Sequence, residues 1–308
     1  MTTVVFSHPS SLDHITPPGH PERPDRIRAV EQALSHEDFN DLERREAPAA
    51  DSKVFELAHP ASHIAMLEER IPETGIVVID ADTSASPKSW DAVRHSVGAA
   101  LEGVDCVFDG RADNVFSVMR PPGHHAEKTT AMGFCFVNTI AIAARYAQEK
   151  YGIERVAIID WDVHHGNGTQ DIFYEDDSVL FASTHQMPLY PGTGAKHETG
   201  IGNIFNAPLS EGDGSDAFKE AFTSKILPAV DNFAPELILI SAGFDAHFKD
   251  PLAGIKLVED DFDWATGKVM ELAGKHCDNR LVSLLEGGYD LEGLADSAAA
   301  HVRRLKQG

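Results

Sequence analysis

The chain has 308 residues, 26 of them basic and 49 acidic, for a formal net charge of −23. That imbalance speaks against a protein that grips nucleic acid or an anionic membrane through phosphates, and it suits a cationic substrate. Three cysteines, Cys106, Cys135 and Cys277, do not make a disulfide framework; with neither a basic-then-apolar leader nor a bilayer-length apolar run, a cytoplasmic protein is expected. In chain order, an apolar run at 4–6 precedes a helix over 24–34, and a run at 76–79 precedes a helix over 87–108. Runs at 114–119, 156–159 and 179–183 follow, with a helix over 138–151 between the first two. A helix over 215–233, a run at 237–242, a helix over 260–275, a run at 281–285 and a helix over 291–306 complete the chain. Asp260 and Asp261 favour the start of their helix, and Arg303, Arg304 and Lys306 the end of the last one. The alternation predicts an α/β fold with a mostly parallel sheet flanked by helices on both faces. No Gly/Ser-rich linker, low-complexity tract or repeat divides residues 1–308, so one domain is expected.

Chemistry-bearing residues gather where the apolar runs stop. After 114–119 comes Arg120-Pro121-Pro122-Gly123-His124-His125-Ala126, where prolines and a glycine fix a loop that carries two imidazoles. The run at 156–159 ends in Asp160-Trp161-Asp162-Val163-His164-His165-Gly166-Asn167-Gly168-Thr169. In extended chain, side chains two apart share a face, so Asp160, Asp162 and His164 point one way while Trp161 and Val163 point the other. Asp162 and His164 thereby offer two ligands to one cation. Asp245, in Ser241-Ala242-Gly243-Phe244-Asp245-Ala246-His247, is a candidate third ligand, with His247 expected to be exposed. In Leu284-Leu285-Glu286-Gly287-Gly288-Tyr289 the paired glycines free Tyr289 to swing a phenol over a pocket. Four clusters at strand carboxyl ends match the rule that open α/β sheets bind ligands beyond those ends.

These motifs, with Gly19-His20-Pro21-Glu22-Arg23-Pro24 and Gly133-Phe134-Cys135-Phe136-Val137-Asn138, resemble in order those of the zinc-dependent histone deacetylase family. The likeness is strongest to its class II branch and bacterial relatives, which include acetylpolyamine amidohydrolases and acetoin utilisation proteins. It implies the arginase-deacetylase fold, with a central eight-stranded sheet. It also implies a metal-dependent amidohydrolase acting on acyl-lysine or a similar N-acyl amine, with no direct nucleic acid partner. By the resemblance, Asp162, His164 and Asp245 hold Zn²⁺; carboxylate-rich ligation leaves Fe²⁺ and Co²⁺ open. His125 becomes the general base and His124 its electrostatic support, with Asp160 holding His124 and Asn167 holding His125. Class I relatives carry Asp where this chain has Asn167, so His125 is expected to be less basic here. Tyr289 would steady the oxyanion.

Gly133, Phe134 and Tyr190 match positions lining a narrow substrate channel, and Tyr190 departs from the usual Phe. Leu252 stands where polyamine-specific relatives place a gatekeeper glutamate, which leans towards acyl-lysine over polyamine. Asp160 and Ser183 match a structural K⁺ site, and Arg23 matches an internal-channel arginine. Two other readings compete. A two-metal ureohydrolase needs further aspartates to hold a second ion roughly 3.5–4 Å from the first, and Val163 and Ala246 supply none. A non-catalytic acyl-lysine binding module should have lost a ligand, the histidine pair or the tyrosine, and all are present.

Overall fold

The computed structural model describes residues 1–308. Ten strands occur in chain order: β1 (Thr3–Ser7), β2 (Glu43–Glu46), β3 (Val77–Val78), β4 (Ser84–Ala85), β5 (Asn114–Ser117), β6 (Val156–Asp160), β7 (Val179–Gln186), β8 (Ile204–Leu209), β9 (Leu237–Ala242) and β10 (Leu281–Leu285). Eight of them form one sheet, ordered β2-β1-β5-β10-β9-β6-β7-β8, with every neighbouring pair parallel. This is the expected eight-stranded α/β architecture. The central strands read as unbroken apolar runs because both their faces are covered. In β6, Ala157 and Ile159 enter one hydrophobic core while Val156 and Ile158 enter the other; in β9, Ile238 and Ile240 part from Leu237 and Leu239 in the same way.

The helices Asp25–Ala33, Glu259–His276 and Leu291–Gln307 pack together on one face, and Ser89–Phe108 and Thr139–Tyr151 cover the other. Thr139–Tyr151 begins where Asn138 Oδ1 accepts the Ala141 N–H at 3.0 Å and stops at Gly152, whose φ of 67° suits glycine. No helix is long and apolar enough to cross a membrane.

Three expectations are corrected. The run at 76–79 supplies only β3, which pairs antiparallel with β4 outside the main sheet. Two strands of the sheet carry no apolar-run signal: β2 is Glu-Arg-Arg-Glu, and β8 holds Asn206 and Pro208. Both lie at sheet edges, where charges and a proline are tolerated and blunt edge-to-edge pairing. The helix expected over 215–233 is interrupted by a π-turn at Phe222–Ile226. Pro228 lacks the N–H that an α-turn would aim at the Ser224 carbonyl, and the wider turn removes that clash.

Candidate active site

The four adjacent strands β5, β10, β9 and β6 deliver their carboxyl ends to one place, so loops far apart in sequence meet above the sheet. Close approach needs bare backbone. A Cβ on Gly287 would stand 2.1 Å from Asp245 Oδ2 and 2.5 Å from Asp162 Oδ2, so only glycine lets the β10 loop close over these carboxylates. Its N–H donates to Asp162 Oδ2 at 2.8 Å.

Asp162, His164 and Asp245 are buried, with one ligand atom each all within 4.8 Å of one another. His164 Nδ1 lies 3.1 Å from Asp162 Oδ1 and 3.0 Å from Asp245 Oδ2. Backbone N–H groups aim the carboxylates: His164 N donates to Asp162 Oδ1 at 2.9 Å and Val163 N to Asp245 Oδ1 at 2.8 Å. Trp161 and Val163, on the alternate positions, sink into the core as the period of two requires. Two buried carboxylates and one imidazole nitrogen, with no lysine or arginine beside them, make a donor set that fits a divalent cation.

Charge is strained accordingly. Burial opposes a cation at His164, yet the bonds to Asp162 and Asp245 win and push it up to about 10. Burial, then the charge of Asp162, pushes Asp245 up to about 7. A group protonated below its raised pKa must give up that proton to ligate. Uptake of a divalent ion should therefore release about one proton per ion above neutral pH, and more as Asp245 also holds one at lower pH. Titration calorimetry in buffers of different ionisation enthalpy reads this directly, and uptake without proton release would remove His164 from the ligand set.

The histidine pair lies beside this trio. The two rings are 4.0 Å apart between centroids, and His124 Nε2 is 3.8 Å from Asp162 Oδ2. His124 Nδ1 donates to Asp160 Oδ2 at 2.9 Å, and Asp160 Oδ1 takes the Asp162 N–H at 3.0 Å. His125 Nδ1 lies 2.8 Å from Asn167 Oδ1. Burial disfavours charge on both rings, but Asp160, Asp162 and Glu286 outweigh it at His124 and hold that ring well above the ordinary range. At His125 burial prevails, reinforced by His124 and His164, and the ring stays well below it. Two imidazoles in contact are thus driven apart in basicity, a common mark of a site that moves protons.

Tyr289 follows Gly288, and Asp250 Oδ2 accepts its backbone N–H at 2.7 Å. Burial raises its phenol well above the usual range, so it is a proton donor. Phe134, at φ 69°, sets its ring 5.9 Å from Tyr289, while Tyr190 stands 5.2 Å from His125 and 6.3 Å from His164. Gly133 is buried against His125, whose ring a Cβ there would strike. Leu252 is 36% exposed, with its N–H on Asp250 Oδ1. Asp160 and Ser183 face each other in register across β6 and β7, with Ser183 Oγ 2.9 Å from His185 Nδ1.

Two expectations fail on geometry. Arg23 is exposed and pairs with Asp25, whereas Arg26, one helical turn on, is fully buried. Arg26 Nε donates to the Gly288 carbonyl at 2.6 Å, and its guanidinium lies 5.0 Å from the Tyr289 ring centroid. His247 is buried, with Nε2 3.2 Å from Glu259 Oε1.

Sequence reasoning also passed over three carboxylates. Asp250 holds the Tyr289 backbone, as described. Glu286 takes the Gly123 N–H at 2.7 Å and the His124 N–H at 3.2 Å, fixing the histidine loop from the neighbouring strand end. Glu22, fully buried, bonds Arg120 at 2.6 Å and Arg26 at 3.2 Å; burial opposes its charge, but Arg120 outweighs that and holds it well below the usual range. The only local signal was that these carboxylates lie inside or beside the motifs already singled out. Glu22→Ala leaves two buried guanidiniums without their anion and should cost about 3–5 kcal/mol. Urea unfolding checks this as a lowered midpoint; an unchanged midpoint contradicts it.

The chain matches the family model described as the histone deacetylase domain over residues 20–305. It is 40% identical over 301 residues to a probable deacetylase of Archaeoglobus fulgidus, covering 95% of this chain and 83% of that one. A histone deacetylase-like amidohydrolase of Pseudomonas aeruginosa is 40% identical over 277 residues, covering 88% and 73%. Among solved structures, the crystal structure of the HDA15 HD domain superposes with a TM-score of 0.92 at 34% identity, covering 99% of this chain and 88% of that one.

Proposed function

The chain belongs to the histone deacetylase family, and on that premise we propose that it is a metal-dependent amidohydrolase that removes an acyl group from acyl-lysine or a similar N-acyl amine. The observation that carries this reading is the convergence of Asp162, His164 and Asp245 beside a histidine pair of split basicity. These three side chains would hold Zn²⁺, or Fe²⁺ or Co²⁺, and Asp160 with Ser183 a structural K⁺. A divalent ion there supplies Lewis acidity, making water a better nucleophile near neutral pH and polarising the amide carbonyl.

The protein's own groups do the rest. His125 carries its proton on Nδ1, towards Asn167, so Nε2 is free to take a proton from the attacking water. His124, held charged by Asp160, lends positive potential without competing as a base. Tyr289 donates its O–H to the carbonyl oxygen as negative charge gathers there. His125 then passes its proton to the departing nitrogen. The oxyanion re-forms its carbonyl as the C–N bond breaks, and a carboxylate and a free amine leave. Phe134 and Tyr190 flank an aliphatic side chain on its way in, and the apolar rim at Leu252 favours acyl-lysine.

A second substrate class has its own support. Asp82 Oδ1 accepts the Gly133 N–H at 2.9 Å, which sets a carboxylate beside the channel residues. Such a mouth suits the spare ammonium of an acetylated polyamine. Acetate release from acetyl-lysine peptides, acetylated polyamines and longer-chain acyl-lysines, measured before and after chelation and metal return, tests both. Loss on chelation and recovery with a divalent ion are expected. Full activity from metal-free protein, or binding of acetyl-lysine without hydrolysis by metal-loaded protein, overturns the reading.

A further inference from the structure

The side-chain amide of Asn167 bridges two groups. Its Oδ1 lies 2.8 Å from His125 Nδ1, and its Nδ2 donates to Glu127 Oε1 at 2.8 Å. An amide has an accepting end and a donating end of nearly equal size, so shape alone does not decide which one meets the imidazole. A carboxylate only accepts. With Glu127 on the outer side, the NH₂ group must turn to it and the carbonyl to His125; the reverse orientation sets oxygen against oxygen. Met132 Sδ, a weak acceptor 3.4 Å from the same Nδ2, points the same way. Glu127 is half-buried in the loop directly after the histidine pair, on the wall of a cavity of about 490 Å³ that it shares with Asn167, Gln170 and Thr193.

We propose that Glu127 is a positioning residue: it selects the orientation of the Asn167 amide and, through it, the tautomer in which His125 acts as a base. The inference rests on the amidohydrolase reading and adds to it a residue that touches neither substrate nor ligand trio. Without Glu127, the amide is free to rotate by half a turn and present NH₂ to His125 Nδ1. The imidazole proton then moves to Nε2, where it blocks the lone pair that the reaction needs.

The test is a cycle of variants in the metal-loaded protein, with the acetyl-lysine peptide as probe. Glu127→Gln presents an NH₂ as well as an acceptor, so it no longer forces the amide orientation and should lower kcat in the same direction as Glu127→Ala, though by less. Glu127→Ala should lower kcat by about tenfold or more with KM within about twofold, since orientation of the base is lost and binding is not. In an Asn167→Asp background both ends of residue 167 accept, orientation is no longer at issue, and Glu127 faces a like charge. There Glu127→Ala should raise kcat.

A purely packing role for Glu127 lowers activity in both backgrounds, and that result overturns the proposal. A long-range ¹H–¹⁵N NMR spectrum gives a readout apart from turnover. Wild type should show one His125 tautomer protonated at Nδ1, and Glu127→Ala a mixture; an unchanged spectrum also overturns the proposal. If wild-type protein hydrolyses no N-acyl amine, the amidohydrolase reading is what fails, and the tautomer spectrum still decides the role of Glu127.

Discussion

His125→Ala is expected to lower kcat by about 10²–10⁴ while the protein keeps its metal, the range typical of a lost general acid–base group. No neighbour replaces the missing base. His124 is 4.0 Å away between ring centroids, but Asp160 keeps it protonated, and a ring that already holds its proton cannot take another. His164 is committed to the two carboxylates. Single-turnover rates with metal analysis of the same sample measure the effect, and added imidazole should return part of the rate through the space left behind. A rate within about tenfold of wild type would place the base elsewhere.

Tyr289→Phe is expected to lower kcat by about 10²–10³, equivalent to about 2.7–4 kcal/mol of barrier, with KM and metal content little changed. The phenol is a donor because burial holds it protonated, and Phe keeps the ring but not the O–H. Its placement does not depend on that hydroxyl. Asp250 anchors the backbone N–H, Arg26 lies over the ring and holds the Gly288 carbonyl, and Phe134 meets the ring edge-on. The variant should therefore melt with the wild type. Steady-state kinetics and a thermal melt give the answer together, and wild-type turnover would remove Tyr289 from oxyanion support.

How much of the molecule can be read from its residues follows from where the physical signal is local. β6 and β9 announce themselves because strands buried on both faces must be apolar throughout, and their ends announce the site because polar residues are tolerated only where the sheet stops. β2 does not, since Glu43–Glu46 is a strand only because β1 offers it a parallel ladder. The π-turn at Phe222–Ile226 answers to Pro228, a signal present in the sequence that helical periodicity masks. Arg23 and Arg26 show the same limit at the site. Both sit in one arginine-rich stretch, and only the docking of the helix Asp25–Ala33 decides which one faces Tyr289 and which one faces water.

The chain by itself determined the donor set and its local spacing: Asp162 and His164 on one face by the period of two, Asp245 and Tyr289 beyond other strands, and a histidine pair on a proline-stiffened loop. Tertiary structure alone decided that β5, β10, β9 and β6 lie side by side, and so that Val163 N reaches Asp245, Gly287 N reaches Asp162, and Glu286 reaches Gly123. It also decided the split in basicity between His124 and His125. Burial and neighbouring charge set a pKa, and both are fixed by residues brought together across the whole sheet rather than by those next along the chain.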